Sequence, residues 1–219
     1  FGAQVYFLKW QKDFSLARNF ALEKAQGQWI LFLDADEELK LESLDLRGLL
    51  QQSDKEGYFL KVINLEDNGN HLYSPAFRLF RNNPQYRYEG KLHEQIIPSI
   101  RKINPFCILG WLPLEIYHYG YLAAQVKAKN KERRNLEILL EEAPEVKLTA
   151  FYCLNLGMEY MRIEDYSEAE KWFKEGWKKV EKRISFAHRL ISKLVTCLFL
   201  QNKFKEAVYY SKEGEKYFP

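Results

Sequence analysis

The eleven residues WILFLDADEEL, Trp29 to Leu39, constrain the fold of this chain more than any other stretch. Trp29 to Leu33 is an unbroken apolar run, too short to cross a membrane and of a length that suits a buried strand. Asp34, Asp36, Glu37 and Glu38 follow at once. Residues two apart on a strand project to the same side, so Asp34 and Asp36 are expected to converge on one object. Acids this close repel one another. At about 6 Å and an effective dielectric of about 20, each pair costs roughly 3 kcal/mol. A cation relieves that cost, and an all-oxygen donor set suits Mg²⁺ or Mn²⁺. The competing reading places the acids in the first turn of a helix, where the dipole stabilises each by about 0.3–1 kcal/mol.

The flanking residues favour a ligand site. Val5 to Leu8 reads as a short strand. A helix follows, with Asp13 or Ser15 as cap, Leu16, Ala17, Phe20, Ala21 and Ala25 on one face, and Gly27 at its end. Strand, helix, strand in so few residues is a βαβ unit and predicts a parallel sheet, whose ligands bind beyond the carboxyl ends of the strands. Asp34 and Asp36 stand at such an end. Further on, Leu41 to Leu50 suits a short helix. Tyr58 to Leu65 and Ala76 to Phe80 read as a hairpin turning at Asn68-Gly69 and closed by Arg78 and Arg81. Residues 82–111 read as a long loop or irregular β region, which contains His93 and Glu94. Leu112 to Tyr121 reads as the last strand, with His118 near its end.

Beyond Tyr121 the pattern is helical. Ala123 to Glu142 is amphipathic and stops at Pro144. An internal repeat follows, one copy carrying Leu156, Gly157, Tyr160, Ala169 and Phe173, the other Leu194, Val195, Leu198, Ala207, Ser211, Gly214 and Pro219. Small residues in such pairs let two helices touch while aromatics fill the groove. Cys153 and Glu181 depart from the usual tetratricopeptide pattern, which favours Trp and Pro there. Two repeats seldom form a stable solenoid alone, so these are expected to lean on the preceding helix or on a partner.

A formal net charge of +3 makes no case for nucleic acid. Cys107, Cys153 and Cys197 are few and widely spaced, as expected of reduced, buried thiols in a cytoplasmic protein. No signal peptide or transmembrane run is read, which fits a cytoplasmic protein or one peripheral to the inner face of the membrane.

Taken in order, WQKDFSLARNFALEKAQGQWILFLDADEEL, FRLFRN, LHEQI and IYHYGY resemble family 2 glycosyltransferases over about residues 4–135, with the tetratricopeptide-like helices as a separate match. The resemblance implies an α/β domain of partial GT-A fold, with a mostly parallel sheet and a β-hairpin over residues 1–120, a linking helix at 121–148 and an all-α tail at 149–219. It implies inverting, metal-dependent transfer from a nucleotide-sugar donor to a glycan, lipid-linked or protein acceptor. Asp34 and Asp36 would hold Mg²⁺ or Mn²⁺ against the diphosphate, with His118 as a third metal ligand. Arg18 would face the nucleotide, supported by Asp13 and Asn19. Arg78 and Arg81 would neutralise phosphate oxygens, unless they are edge-strand charges. Glu94 is the candidate base, with His93 orienting it or contacting the donor. Glu37 and Glu38 compete for that role, and a helix cap is the bland reading of Glu94.

The GT-A fold ordinarily opens with a strand, helix and strand that grip the nucleoside, and Val5 to Leu8 would be only the third strand of the sheet. A fragment of a longer transferase is therefore expected, with weak activity by itself and an apolar sheet edge open to pairing. The repeats would recruit the acceptor or a protein partner, or form a homodimer. The reading from another class is a tetratricopeptide interaction module with a non-catalytic α/β remnant.

Overall fold

A computed structural model describes residues 2–41, 45–65, 71–119, 128–142, 148–183 and 186–219, with side chains from 133 onward in the helix at 128–142. The chain divides into two compact units, Phe1–Lys127 and Ala128–Pro219.

Among the described residues, five strands make the sheet of the first unit: β1 (Trp29–Leu31), β2 (Glu37–Lys40), β3 (Gly57–Leu65), β4 (His71–Arg81) and β5 (Leu109–His118), in the order β1-β4-β3-β5-β2. β3 and β4 pair antiparallel over nearly their full length, as the hairpin pattern predicts, while the Asn68-Gly69 turn lies outside the described residues. Tyr58, Leu60, Val62, Leu79, Leu112, Leu114 and Ile116 bury one face, where Leu46, Leu49 and Leu50 of helix α2 (Leu46–Gln51) pack. Helix α2 thus starts later than the helix read at Leu41, and residues 42–44 lie outside the described set. Ile30, Phe80, Tyr86, Tyr88, Ile96 and Ile100 bury the other face, beneath helices α1 (Phe14–Lys24) and α3 (Ile97–Ile103). Helix α3 falls within the stretch read as loop: Pro98 in its first turn is tolerated because the first amides lack intrahelical partners.

An α/β domain followed by a helical tail is the fold, but the sheet is mixed rather than mostly parallel. The β3–β5 pair is parallel, and the β1–β4, β3–β4 and β2–β5 pairs are antiparallel. Chain connectivity is the reason. The short β3–β4 link enforces antiparallel pairing, whereas the passage through α3 is long enough to bring β5 back parallel. The βαβ unit read at residues 5–33 does not form among the described residues. Val5 and Phe7 lie outside any ladder, 72% and 91% exposed. A parallel strand needs cover on both faces, which these residues lack.

The second unit contains α4 (Ala128–Glu142), α5 (Ala150–Arg162), α6 (Tyr166–Lys179), α7 (Ala187–Leu200) and α8 (Phe204–Glu215). Pro144, the predicted stop of the first helix, lies outside the described residues. The repeat holds at the level of single hydrogen bonds. Asp165 N–H donates to the Tyr160 carbonyl and Lys203 N–H to that of Leu198, and Glu164 and Asn202 take φ of 64° and 58° at the two equivalent turns. Gly157 answers to the close approach read from sequence: a Cβ there would lie 2.6 Å from the Phe173 ring. Phe173, Ala169, Leu190, Leu194 and Leu198 close the core, and the Tyr152 hydroxyl donates to the Leu139 carbonyl, fastening α5 to α4.

Glu170 is 9% exposed and accepts from Lys174 (2.6 Å), Lys203 (2.6 Å) and Gln201 (2.9 Å). Burial pushes its carboxyl pKa up, but these three donors outweigh burial and hold it below the ordinary carboxylate value. A depressed folded-state pKa contributes stability above the unfolded value and loses it as pH falls through the folded one. Glu170→Gln is therefore expected to lower the melting temperature at neutral pH, with the gap from the unaltered chain closing as thermal scans move from about pH 7 to about pH 3.

Candidate active site

The link between β1 and β2 carries the acids. Residues 35–36 form a turn, so strand alternation does not govern Asp34 and Asp36, and each finds its own partners. Glu37 closes the turn. Its N–H donates to the Asp34 carbonyl (3.0 Å), and its Oε2 accepts the Asp34 N–H (2.8 Å). Its Oε1 accepts from Nη2 of Arg78 (2.6 Å), and the Glu37 side chain is only 2% exposed. A buried carboxylate is tolerated where charge-assisted bonds use its lone pairs, as here.

Arg78 arrives by way of a β-bulge. Tyr58 pairs with Leu79 and Phe59 with Phe77, which leaves Arg78 as the extra residue on β4. Bulges re-aim a side chain, and Nη2 of Arg78 also reaches Oδ2 of Asp34 (3.1 Å). Arg18 comes from the middle of α1. Its Nη2 lies 3.4 Å from Oδ1 of Asp34, its Nε donates to Oε1 of Glu94, and its guanidinium stacks 3.9 Å from the centre of the Phe32 ring. Nη1 of Arg18 is buried and has no hydrogen-bond partner among the described residues. Tyr88 stands beside this group, and burial pushes its hydroxyl pKa up to about 12, keeping it neutral.

Two stitches hold α1 to the segment that carries Glu94. Phe14 N–H donates to the Lys91 carbonyl (2.9 Å). Asn19 donates to the Tyr88 carbonyl (3.0 Å) and accepts the Tyr88 N–H (2.7 Å). His93, at φ 58°, sits in the left-handed region just before Glu94, an uncommon conformation for which histidine is one of the enriched residues.

At the other end of the turn, Oδ2 of Asp36 lies 3.4 Å from Nε2 of His118. Nδ1 of His118 is 2.8 Å from Oδ1 of Asn64. An amide oxygen only accepts, so Nδ1 carries a proton, and Nε2 is the nitrogen turned towards Asp36. Metal-binding histidines are commonly held in this way.

The structure thus gathers Arg18, Asp34, Arg78 and Glu94 into one cluster and pairs Asp36 with His118. It does not bring Asp13, Asn19 or Arg81 into either group. Asp13 caps α1, accepting from Leu16 N–H (2.9 Å) and the Ser15 hydroxyl (2.7 Å), and Asn19 is occupied by Tyr88. Arg81 donates to the Lys55 (3.1 Å) and Ser53 carbonyls and stacks 4.7 Å from the Trp29 ring centre. Being three positions from Arg78 on a bulged strand, it faces the opposite side of the sheet. Glu38 lies on the edge strand, bonded to Lys40 (2.6 Å) and to the Tyr119 hydroxyl (2.8 Å), away from the cluster. Asn64 is a supporting residue that sequence reading did not name, and Glu37, read as one of the clustered acids and a rival base, instead supports the turn. Of these only Glu37 left a signal, as the acid that closes the turn three residues after Asp34.

Among the described residues, no three His, Cys, Asp or Glu side chains converge on one point. Asp36 and His118 fit a divalent cation as one oxygen and one nitrogen donor, with further positions for ligand oxygens and water. Both oxygens of Asp34 are engaged by arginines. The repulsion expected among the acids is thus relieved in part by the protein's own guanidinium groups.

A cleft of about 290 Å³ opens beside the cluster, lined by Arg18, Arg78, Tyr88, Glu94, Phe59 and Phe77 among others. Another hollow of about 340 Å³, between Leu22 and Arg87, is bordered by Asn82, whose amide is spent on the Ala25 and Gly27 carbonyls. It presents no comparable group of charges.

Residues 1–108 match the sequence profile described as Glycosyl transferase family 2. A TPR repeat-containing protein of Synechococcus elongatus is 36% identical over 186 residues, covering 81% of this chain and 45% of the relative. The SPbeta prophage-derived glycosyltransferase SunS of Bacillus subtilis is 29% identical over 227 aligned positions, covering 99% of this chain and 51% of that protein. The chain therefore spans about half the length of the curated relatives it matches.

Proposed function

Residues 1–108 of this chain belong to glycosyl transferase family 2, and from that footing we propose that the chain takes part in inverting sugar transfer from a nucleotide-sugar donor. The observation that carries the reading is a cleft lined by Arg18, Arg78 and Glu94, the two arginines bonded behind it to Asp34, with a buried guanidinium nitrogen left unsatisfied. An unpaired buried donor is costly and uncommon. A phosphate oxygen of the donor would satisfy it.

Each residue then has a role that follows from its chemistry. Arg18 and Arg78 exchange their bonds to Asp34 for bonds to the diphosphate, which their planar guanidinium groups match. Asp34, freed by that exchange, turns to the remaining donor groups. Glu94 accepts the proton of the acceptor as it attacks the anomeric carbon from the side opposite the leaving diphosphate. Phe32 and Tyr88 keep water from the reacting atoms. Asp36 and His118 would hold Mg²⁺ or Mn²⁺, which when bound supplies positive charge against the leaving group. His93 shapes the loop that presents Glu94.

The test is a thermal-shift titration with UDP, with and without Mn²⁺. UDP and Mn²⁺ together are expected to raise the melting temperature more than the sum of each alone, because UDP draws the arginines from Asp34. Asp36→Ala removes the metal-dependent part. A melting temperature that never moves would count against donor binding. A second reading, a protein-interaction module, is favoured by the two consecutive helical hairpins. It predicts tight binding of a protein or peptide through residues 128–219, with no response to UDP. The absence of a helix long and apolar enough to cross a membrane among the described residues fits either reading.

A further inference from the structure

Three aromatic side chains form a row across the sheet and lead out of the cleft. Phe59 on β3 is the register partner of both Phe77 on β4 and Trp111 on β5. The ring centres of Phe59 and Phe77 are 5.2 Å apart, and those of Phe59 and Trp111 are 5.1 Å apart with planes 26° from parallel. Phe59 and Phe77 line the same cleft as Glu94 and Arg78. Trp111, at the far end, is 64% exposed. Next to the row, Lys61 pairs with Glu115 (2.9 Å) and holds its ammonium 4.4 Å from the centre of the Tyr73 ring.

Packing against the core accounts for Phe77 but not for the other two members of the row. Neither Phe59 nor Trp111 belongs to the two apolar cores described above. An exposed indole stacked on a half-buried phenyl forms a flat apolar platform, and charged groups stand at its margin. We propose that the row is the acceptor subsite for a saccharide: a pyranose lies with its C–H face on Trp111 and Phe59, its hydroxyls reach the Lys61–Glu115 pair, and the neighbouring sugar is delivered to Glu94. The proposal rests on the transferase reading given above.

The topology argues for a sugar rather than a peptide. Phe59 is paired with Phe77 on one side and with Trp111 on the other, so the main chain at the middle of the row serves the ladders and a peptide cannot add there as an extra strand, although β2 covers β5 only over Glu115–His118. Recognition must come from side-chain surface. A flat ring with an apolar face and a polar rim is the complement that such a platform offers.

Saturation-transfer NMR of cellohexaose, maltohexaose and chitohexaose with the UDP-loaded chain tests the proposal, alongside UDP thermal shifts on the same samples. At least one oligosaccharide is expected to bind. Trp111→Ala should weaken that binding by about fivefold or more, Trp111→Tyr should keep most of it, and the UDP response should be unchanged in both. Failure of all three oligosaccharides to bind overturns the saccharide subsite. So does equal binding by Trp111→Ala, or loss of the UDP response in that variant, which would assign the row to the nucleotide. Adsorption to phosphatidylglycerol vesicles that disappears in Trp111→Ala also overturns it and points to a lipid surface, in keeping with the neighbouring exposed Phe106 and Ile108. A wild-type chain that ignores UDP but binds oligosaccharide through Trp111 removes the transferase reading and leaves a sugar-binding face.

Discussion

Glu94→Gln is expected to slow sugar transfer by about 10²–10⁴-fold, the usual contribution of a positioned base, with little change in the affinity for UDP. The amide keeps the shape of the side chain and an oxygen that can still accept from Nε of Arg18. It cannot take a proton. Because Glu94 also touches Arg18, the transfer rate and the UDP affinity are measured together. A rate loss with an intact UDP thermal shift identifies the base. Equal loss of both assigns Glu94 to holding Arg18, and full activity removes it from the chemistry. Glu38, on its exposed edge strand, serves as the control: Glu38→Gln should leave transfer within about twofold, since surface changes away from such features have small effects.

The second large effect belongs to a residue that never meets substrate in this scheme. Glu37→Ala is expected to destabilise the first unit by about 3–5 kcal/mol, the usual cost of breaking a buried ion pair. It removes the acceptor of the Asp34 N–H and of Arg78 at one stroke. Chemical denaturation measures the stability, and transfer kinetics separate folding from function. Glu37→Gln retains an oxygen for one of those donors, so it should recover part of the stability. Its amide nitrogen, however, must face either Arg78 or the Asp34 N–H, so the turn that presents Asp34 and Asp36 is expected to stay loose. Reduced UDP affinity in a folded Glu37→Gln chain would support this positioning role. Wild-type stability and kinetics in Glu37→Ala would show that the turn holds itself.

The acidic cluster illustrates how far residue patterns reach. Four neighbouring acids announce a need for positive charge, and that inference holds in the structure. Its source was misplaced in part: Arg18, sixteen residues earlier, and Arg78, forty-four later, both approach Asp34. Sequence spacing encodes which residues share a face of one element. It does not encode a bulge that swings Arg78 and leaves Arg81 on the opposite side. Asp13 and Asn19 show the complementary limit. Both lie on a motif associated with the nucleotide, yet one caps a helix and the other clamps the Tyr88 backbone. A polar side chain near a site has several possible partners, and only the folded chain selects among them.

Residue chemistry by itself determined the two-part organisation, the β3–β4 hairpin and the helical repeat down to Ala169 and Ala207. These follow from local periodicity, turn chemistry and side-chain size, which act over a few residues and are written along the chain. Strand order, the parallel pairing of β3 with β5, the partner of each acid and the aromatic row from Phe77 to Trp111 were decided only by tertiary structure. They depend on pairings between segments tens of residues apart, where many registers satisfy the same apolar pattern and the balance of packing and connectivity selects one.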